Sequence, residues 1–224
     1  GNTLIITVCA VFGIVMSSTM CGYVLNRKEK SKITKIIFLV ILSGMMFPYQ
    51  MAVLGLYKLV RSLDLMNTLT AVIFIDIAIN IPFATFLMKN SISSVPIELE
   101  EAARIDGAND LTIFFRMVMP LAKPILMTVA LFVAINQWNS WFDAYLYTSS
   151  QNLKPMQSIL VEILNQYQTG SASSQMSNAK AGITLTPDSI RMAATMVATL
   201  PIIMVYPFIQ KYFVKGMTVG SVKG

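Results

Sequence analysis

Five long stretches with almost no charge constrain this chain more than any other feature. Residues 1–26 carry no charged side chain, with an apolar core at 4–25. A second run spans 36–57 and is interrupted by Pro48. A third spans 65–88 and holds one acid, Asp76. The fourth, 124–142, continues toward Tyr147, and the fifth, 192–210, contains Pro201 and Pro207. A bilayer core about 30 Å thick is crossed by about 20 apolar residues in a helix. A soluble core has room for one or two such helices, not five in 224 residues. Composition agrees: 12% of residues are charged, against about 25% in an ordinary soluble domain. So many apolar residues also exclude disorder. The runs are too long and too uniformly apolar for the ten-residue alternating strands of a membrane barrel. The expectation is an all-α, polytopic membrane protein: a single unit over 1–224 with five visible transmembrane helices. The first run lacks a basic leader and is too long for a signal peptide, and a start at Gly1 reads as an incomplete chain.

Several chemistries are excluded by what is missing. The chain has no histidine and two cysteines, Cys9 and Cys21, which removes His-based triads, HExxH sites and a four-thiolate zinc site. No metal site is expected. No G-x-x-x-x-G-K-[ST] phosphate loop occurs, so ATP hydrolysis is not expected on this chain. The net charge of +6 is a topology signal rather than a sign of nucleic acid. Arg27, Lys28, Lys30, Lys32, Lys35, Lys89, Arg104, Arg116, Lys123, Lys211, Lys215 and Lys223 fall on one side of the five spans. Lys58, Arg61, Lys154, Lys180 and Arg191 fall on the other. The positive-inside rule makes the first side cytoplasmic. It places the 89–123 loop and the C-terminus inside, and the 149–187 loop outside. The sixteen methionines are scattered through the spans, as fillers of irregular gaps are.

The 89–123 loop carries the clearest local pattern. Ser94 is placed to cap a helix, Pro96 suits its first turn, and Glu98, Glu100 and Glu101 favour its positive end. Leu99, Ala102, Ala103 and Asp106 share one narrow face. Gly107 suits a left-handed C-cap. Asn109 then caps a second helix whose Leu111, Phe114, Phe115 and Val118 form an apolar stripe, ended by Pro120. Small residues permit close approach to a groove on another protein, and the acids suit a basic partner. The alternative is an interfacial helix resting on lipid headgroups, although such helices are usually basic.

Glu101-Ala102-Ala103, then Gly107 after three intervening residues, then Met117-Val118-Met119-Pro120 resemble the EAA loop of ABC importer permeases. Met stands for both the Ile and the Leu of that pattern's I-x-L-P, a volume-tolerant exchange. The longer string EEAARIDGAND and the 216–224 tail are similar to the carbohydrate, maltose-type branch. The resemblance covers essentially the whole chain and implies a type I ABC importer permease whose first family span is missing here. It implies a coupling helix that docks on an ATPase subunit through Glu101, Ala102, Ala103, Asp106 and Gly107, with the tail reaching the ATPase dimer. It further implies a bacterial inner-membrane location and a second, homologous permease (a heterodimer). The other implied partners are an ATPase dimer holding ATP and magnesium, an extracellular solute-binding protein and an oligosaccharide substrate. Permeases for amino acids, peptides or phosphate are the alternative within the class.

Polar residues inside spans are costly and mark function by default. Asp76 and Asn80 lie one turn apart. Asn136, Gln137, Trp138, Asn139, Trp141 and Asp143 cluster toward the outer half of the fourth run. Aromatic faces beside amides and carboxylates suit a sugar's C–H face and hydroxyls. These residues are candidates for the translocation path. Interfacial aromatics and inter-helix hydrogen bonds are the competing explanation. An intramembrane aspartyl pair of Asp76 and Asp143 is disfavoured because counting along straight spans puts the two at different depths, no histidine or serine base pair accompanies them and no motif surrounds Asp76. The external 149–187 loop reads either as a solvated connection or as a docking surface for the binding protein, with Tyr167, Gly170 and Gly182 as candidate contacts.

Overall fold

The computed structural model describes residues 1–168 and 187–221, with backbone alone at 166–168, 187, 205 and 208–221. Among the described residues the chain is helical and contains no strand. The order is α1 (Asn2–Arg27), α2 (Lys32–Met46), α3 (Tyr49–Ser62), α4 (Leu69–Ile92), α5 (Ile97–Ile105), α6 (Asp110–Leu121), α7 (Lys123–Asn139), α8 (Phe142–Tyr147), α9 (Met156–Gln168) and α10 (Pro187–Ser221).

Helices α1 and α4 are each long and apolar enough to cross a membrane. They run parallel and form the centre of the structure. Their interface uses small residues, with Ala10 and Ala84 fully buried, so the backbones approach closely. At Gly22 a Cβ would lie 2.8 Å from the Lys89 backbone nitrogen. The opposite face of α1, with Leu4, Val8 and Phe12, is exposed, as a lipid-facing surface requires. Ser17 donates to the Gly13 carbonyl at 2.6 Å, so its hydroxyl is satisfied within its own helix.

The second apolar run is not one straight span. It breaks between α2 and α3 with a bend of 101°. Pro48 lacks a backbone N–H and forces Phe47 into extended geometry (φ −84°, ψ 122°). The fourth run begins at a second break. Helices α6 and α7 meet at 78° around Ala122. Pro120 does not end α6, which runs on to Leu121. Instead Phe114–Val118 forms a π-helical turn just before the proline, which cannot donate to the Arg116 carbonyl. That wider turn changes which side chains face inward. Ile113, Phe114 and Val118 are buried, while Leu111 is 61% exposed and Phe115 46% exposed. The regular stripe expected from spacing is therefore replaced. The fifth run lies within α10, which packs on α7 and continues through Pro201 and Pro207. Trp138 Nε1 donates to the Ala198 carbonyl at 3.2 Å, in the turn that Pro201 weakens.

Two apolar cores result. One lies between α1, α4, α6 and α7 around Ile14, Met88, Ile113, Val118 and Val129. The other lies at the opposite end, between α1, α3, α4 and α8, around Ile6, Val60, Val72 and Tyr147. At that end Asn67 (φ +60°) organises two loops. Its side-chain oxygen accepts from the backbone N–H groups of Ser149 and Ser150 at 3.1 and 2.9 Å. Its own N–H donates to the Tyr147 carbonyl at 2.8 Å.

Candidate functional site

The α5–α6 hairpin is the first candidate site. Helix α5 has nine residues, too few to hold together in isolation. Ser94 does not cap it. Its hydroxyl turns back to the Ser91 carbonyl at 2.7 Å, and Pro96 occupies the cap position without a side-chain bond. The C-terminus is closed as expected. Gly107 takes φ +85°, its N–H donates to Arg104 at 3.0 Å, and Ala108 N–H donates to Ala103 at 2.9 Å. Together these make a Schellman closure. Asn109 caps α6 by accepting from Thr112 N–H at 2.8 Å.

The two adjacent glutamates of α5 diverge. Glu100 is 1% exposed and anchored to α1. Arg27 reaches its Oε1 at 2.6 Å, and Tyr23 donates to its Oε2 at 2.9 Å. Glu101, Ala102 and Asp106 point to solvent, and Ala103 is half-buried. Ile105 is 87% exposed. Exposed Arg104 pairs with Asp110 at 3.1 Å, which holds its guanidinium above the ordinary arginine range. That pairing leaves Glu98, Glu101 and Asp106 as the exposed acids of the hairpin outside an ion pair. The hairpin thus offers protruding apolar side chains rimmed by negative charge. The sequence does not bring Glu100, Arg27 and Tyr23 together, because helical spacing does not say which glutamate faces α1.

The second cluster lies near the other end of the helices. Asp76 is 2% exposed and Asp143 is buried. Gln137 Nε2 donates to Asp76, and Tyr49 OH donates to Asp143. Ser140 Oγ lies 3.4 Å from the other Asp143 oxygen. Asp76 and Asp143 do not lie at different depths, contrary to the expectation from a straight span. The carboxyl of Asp143 lies beside that of Asp76, close enough for the two to interact. The chain turns at Ser140 (ψ 127°) and Trp141, so α8 folds back onto α4 instead of extending α7. The cavity against Gln137 and Ser140 is only about 10 Å³. Both carboxylates are buried and already hydrogen-bonded to neighbouring side chains.

The remaining polar residues of this region are more open. Asn136 and Asn139 are exposed, and Trp141 is 37% exposed. Asn136 Nδ2 lies 3.4 Å from Asn80 Oδ1, and Asn80 donates to the Asp76 carbonyl at 2.8 Å. Trp138 is half-buried against α10. The described part of the 149–187 segment is tied back to the helices. Met156 N–H donates to Thr3 Oγ1 at 2.9 Å, and Ser158 Oγ donates to the Trp141 carbonyl at 2.8 Å. Gly170 and Gly182 lie outside the described residues, as does the side chain of Tyr167.

Long apolar helices that hold a braced, exposed hairpin at one end define a polytopic membrane protein. A family model described as "Binding-protein-dependent transport system inner membrane component" matches residues 12–219. The chain belongs to that family and is a multi-pass membrane transport permease. It is 38% identical to Protein LplC of Bacillus subtilis over all of its length and 73% of that relative's. It is 36% identical to the polygalacturonan/rhamnogalacturonan transport system permease protein YtcP of the same organism, over 99% of this chain and 75% of the relative. It is 33% identical to the melibiose/raffinose/stachyose import permease protein MelC, also from Bacillus subtilis, over 100% and 75%.

Proposed function

We propose that this chain is the membrane-spanning permease subunit of an ATP-driven oligosaccharide importer. Relatives named for oligosaccharide and pectic polysaccharide transport support the substrate class. Those saccharide names favour the sugar branch over permeases for amino acids, peptides or phosphate. The α5–α6 hairpin is the coupling element: Glu101, Ala102, Ala103, Asp106 and Gly107 seat it on an ATPase subunit that holds ATP and magnesium. One observation carries this reading. Ile105 is 87% exposed on a hairpin otherwise braced against the core, with exposed acids around it. Such a surface is matched by an apolar groove with a basic rim. Anionic lipid headgroups would repel it.

The hairpin end then faces the cytoplasm, together with the C-terminus. A second permease, different in sequence, completes the pathway. The opposite end, including the 149–187 segment with Tyr167, Gly170 and Gly182, receives an extracellular solute-binding protein. Exposed Asn136, Asn139 and Trp141, with Asn80 and Trp138 beside them, line the sugar's route. Buried Asp76 and Asp143 brace that wall from behind.

Copurification tests the coupling assignment. In the assembled complex, Glu101→Lys lowers recovery of the ATPase subunit at least tenfold, and uptake falls with it. Unchanged recovery and uptake would remove the hairpin as the ATPase contact.

A further inference from the structure

The coupling hairpin is joined to the transmembrane helices by side chains as well as by its own chain. Arg27, the last residue of α1, makes three bonds outside its own helix. Its Nε and a terminal nitrogen reach Glu100 Oε1 at 2.9 and 2.6 Å, and that terminal nitrogen also reaches the Val95 carbonyl at 2.9 Å. Glu100 has no solvent to fall back on, at 1% exposure. Tyr23, one turn earlier on α1, contacts both halves of the hairpin. Its hydroxyl donates to Glu100 on α5, and its ring lies 5.4 Å from that of Phe114 on α6. Asn26 donates to the Lys89 carbonyl at 3.0 Å, and the Gly22 contact leaves no slack between α1 and α4. Each tie lies within the last turn and a half of α1.

We infer that Arg27, Tyr23 and Glu100 form the transmission joint of the transporter, making α1 and the coupling hairpin one rigid lever. Displacement of the hairpin by a partner is carried into α1 through this buried pair, and into α4 through the Gly22 contact. Covalent connection alone would not do this. The hairpin follows α4 by the Ser93–Pro96 connection, and the 28–31 turn leads away from α1 to α2. Glu100 and Glu101 thus divide the work: Glu100 fixes the lever to the membrane helices, and Glu101 faces the partner. These three are positioning residues, and the inference rests on the coupling reading above.

The test uses the complete complex in proteoliposomes, reading ATPase copurification, ATP hydrolysis and sugar uptake for each variant. Glu100→Gln and the milder Tyr23→Phe should retain the ATPase subunit and continue to hydrolyse ATP. Uptake per ATP should fall at least tenfold in the first and about threefold in the second. A paired cysteine variant, Arg27→Cys with Glu100→Cys in a background lacking Cys9 and Cys21, covers the case where Glu100→Gln does not assemble. Bridging the two thiols with a short reversible bifunctional thiosulfonate should restore uptake, and reduction should abolish it again. Wild-type uptake per ATP in Glu100→Gln, or blocked uptake in the bridged variant, would overturn the joint. The bridged variant would then show that α1 and the hairpin must part during the cycle. Failure of the coupling reading looks different: Glu101→Lys would retain the ATPase subunit and transport normally.

Discussion

Glu100 and Glu101 are neighbours with opposite environments, and helix geometry explains why. Successive side chains on a helix point about 100° apart, so one glutamate faces α1 when the other faces solvent. Removing one partner from a buried, hydrogen-bonded ion pair leaves an uncompensated charge and costs roughly 3–5 kcal/mol. Arg27→Ala is therefore expected to lower the thermal unfolding temperature in detergent much more than Arg104→Ala. The Arg104 pair with Asp110 is exposed and contributes little. Gly107 at φ +85° obeys the same local logic. An L side chain there costs about 1–2 kcal/mol. Gly107→Ala should loosen the Schellman closure, visible as faster amide exchange at Ala108, whereas Gly55→Ala, inside α3 and with open space at its Cβ, should not.

Helix by helix, the chain was legible where one residue type decides local geometry. Gly107 and Asn109 close and open their helices as their chemistry dictates, and α1 and α4 follow from length and hydropathy alone. Ser94 was misleading because three serines occur nearby and its hydroxyl found the closer Ser91 carbonyl. The stripe on α6 shifted because Pro120 opened a π-helical turn, which changes the period that spacing arguments assume. Pro48 marked a break, but no local rule gives a bend of 101°. The meeting of Asp76 and Asp143 depended on the reversal at Ser140 and Trp141, a tertiary event that counting along a straight span places wrongly. The bend makes its own prediction. Pro48→Ala restores a donor and favours continuation of α2, which pulls Tyr49 away from Asp143. Protease accessibility of the 62–68 turn in vesicles should rise in that variant, while ATPase copurification, which the proposed coupling assigns to the far hairpin, should not change.

Across the whole molecule, function follows from placing two different surfaces at the two ends of a tightly packed helix pair. Parallel α1 and α4 carry the acidic, apolar-tipped hairpin at one end. At the other they carry the region of Asn136, Asn139 and Trp141. The pair is tied at both ends: by Arg27 and Glu100 at the hairpin, and at the opposite end by Asn67 and Gln137, which hold α4, and by Thr3, which holds α1. Oligosaccharide import driven from the hairpin end is tested most directly in proteoliposomes holding this chain, its partner permease and the ATPase subunits. The measurement is accumulation of a labelled oligosaccharide with ATP supplied on the hairpin side and the solute-binding protein on the other. Accumulation that requires both ATP and the binding protein is the predicted result. Accumulation that proceeds without either one, or the transport of amino acids but no oligosaccharide, would contradict it.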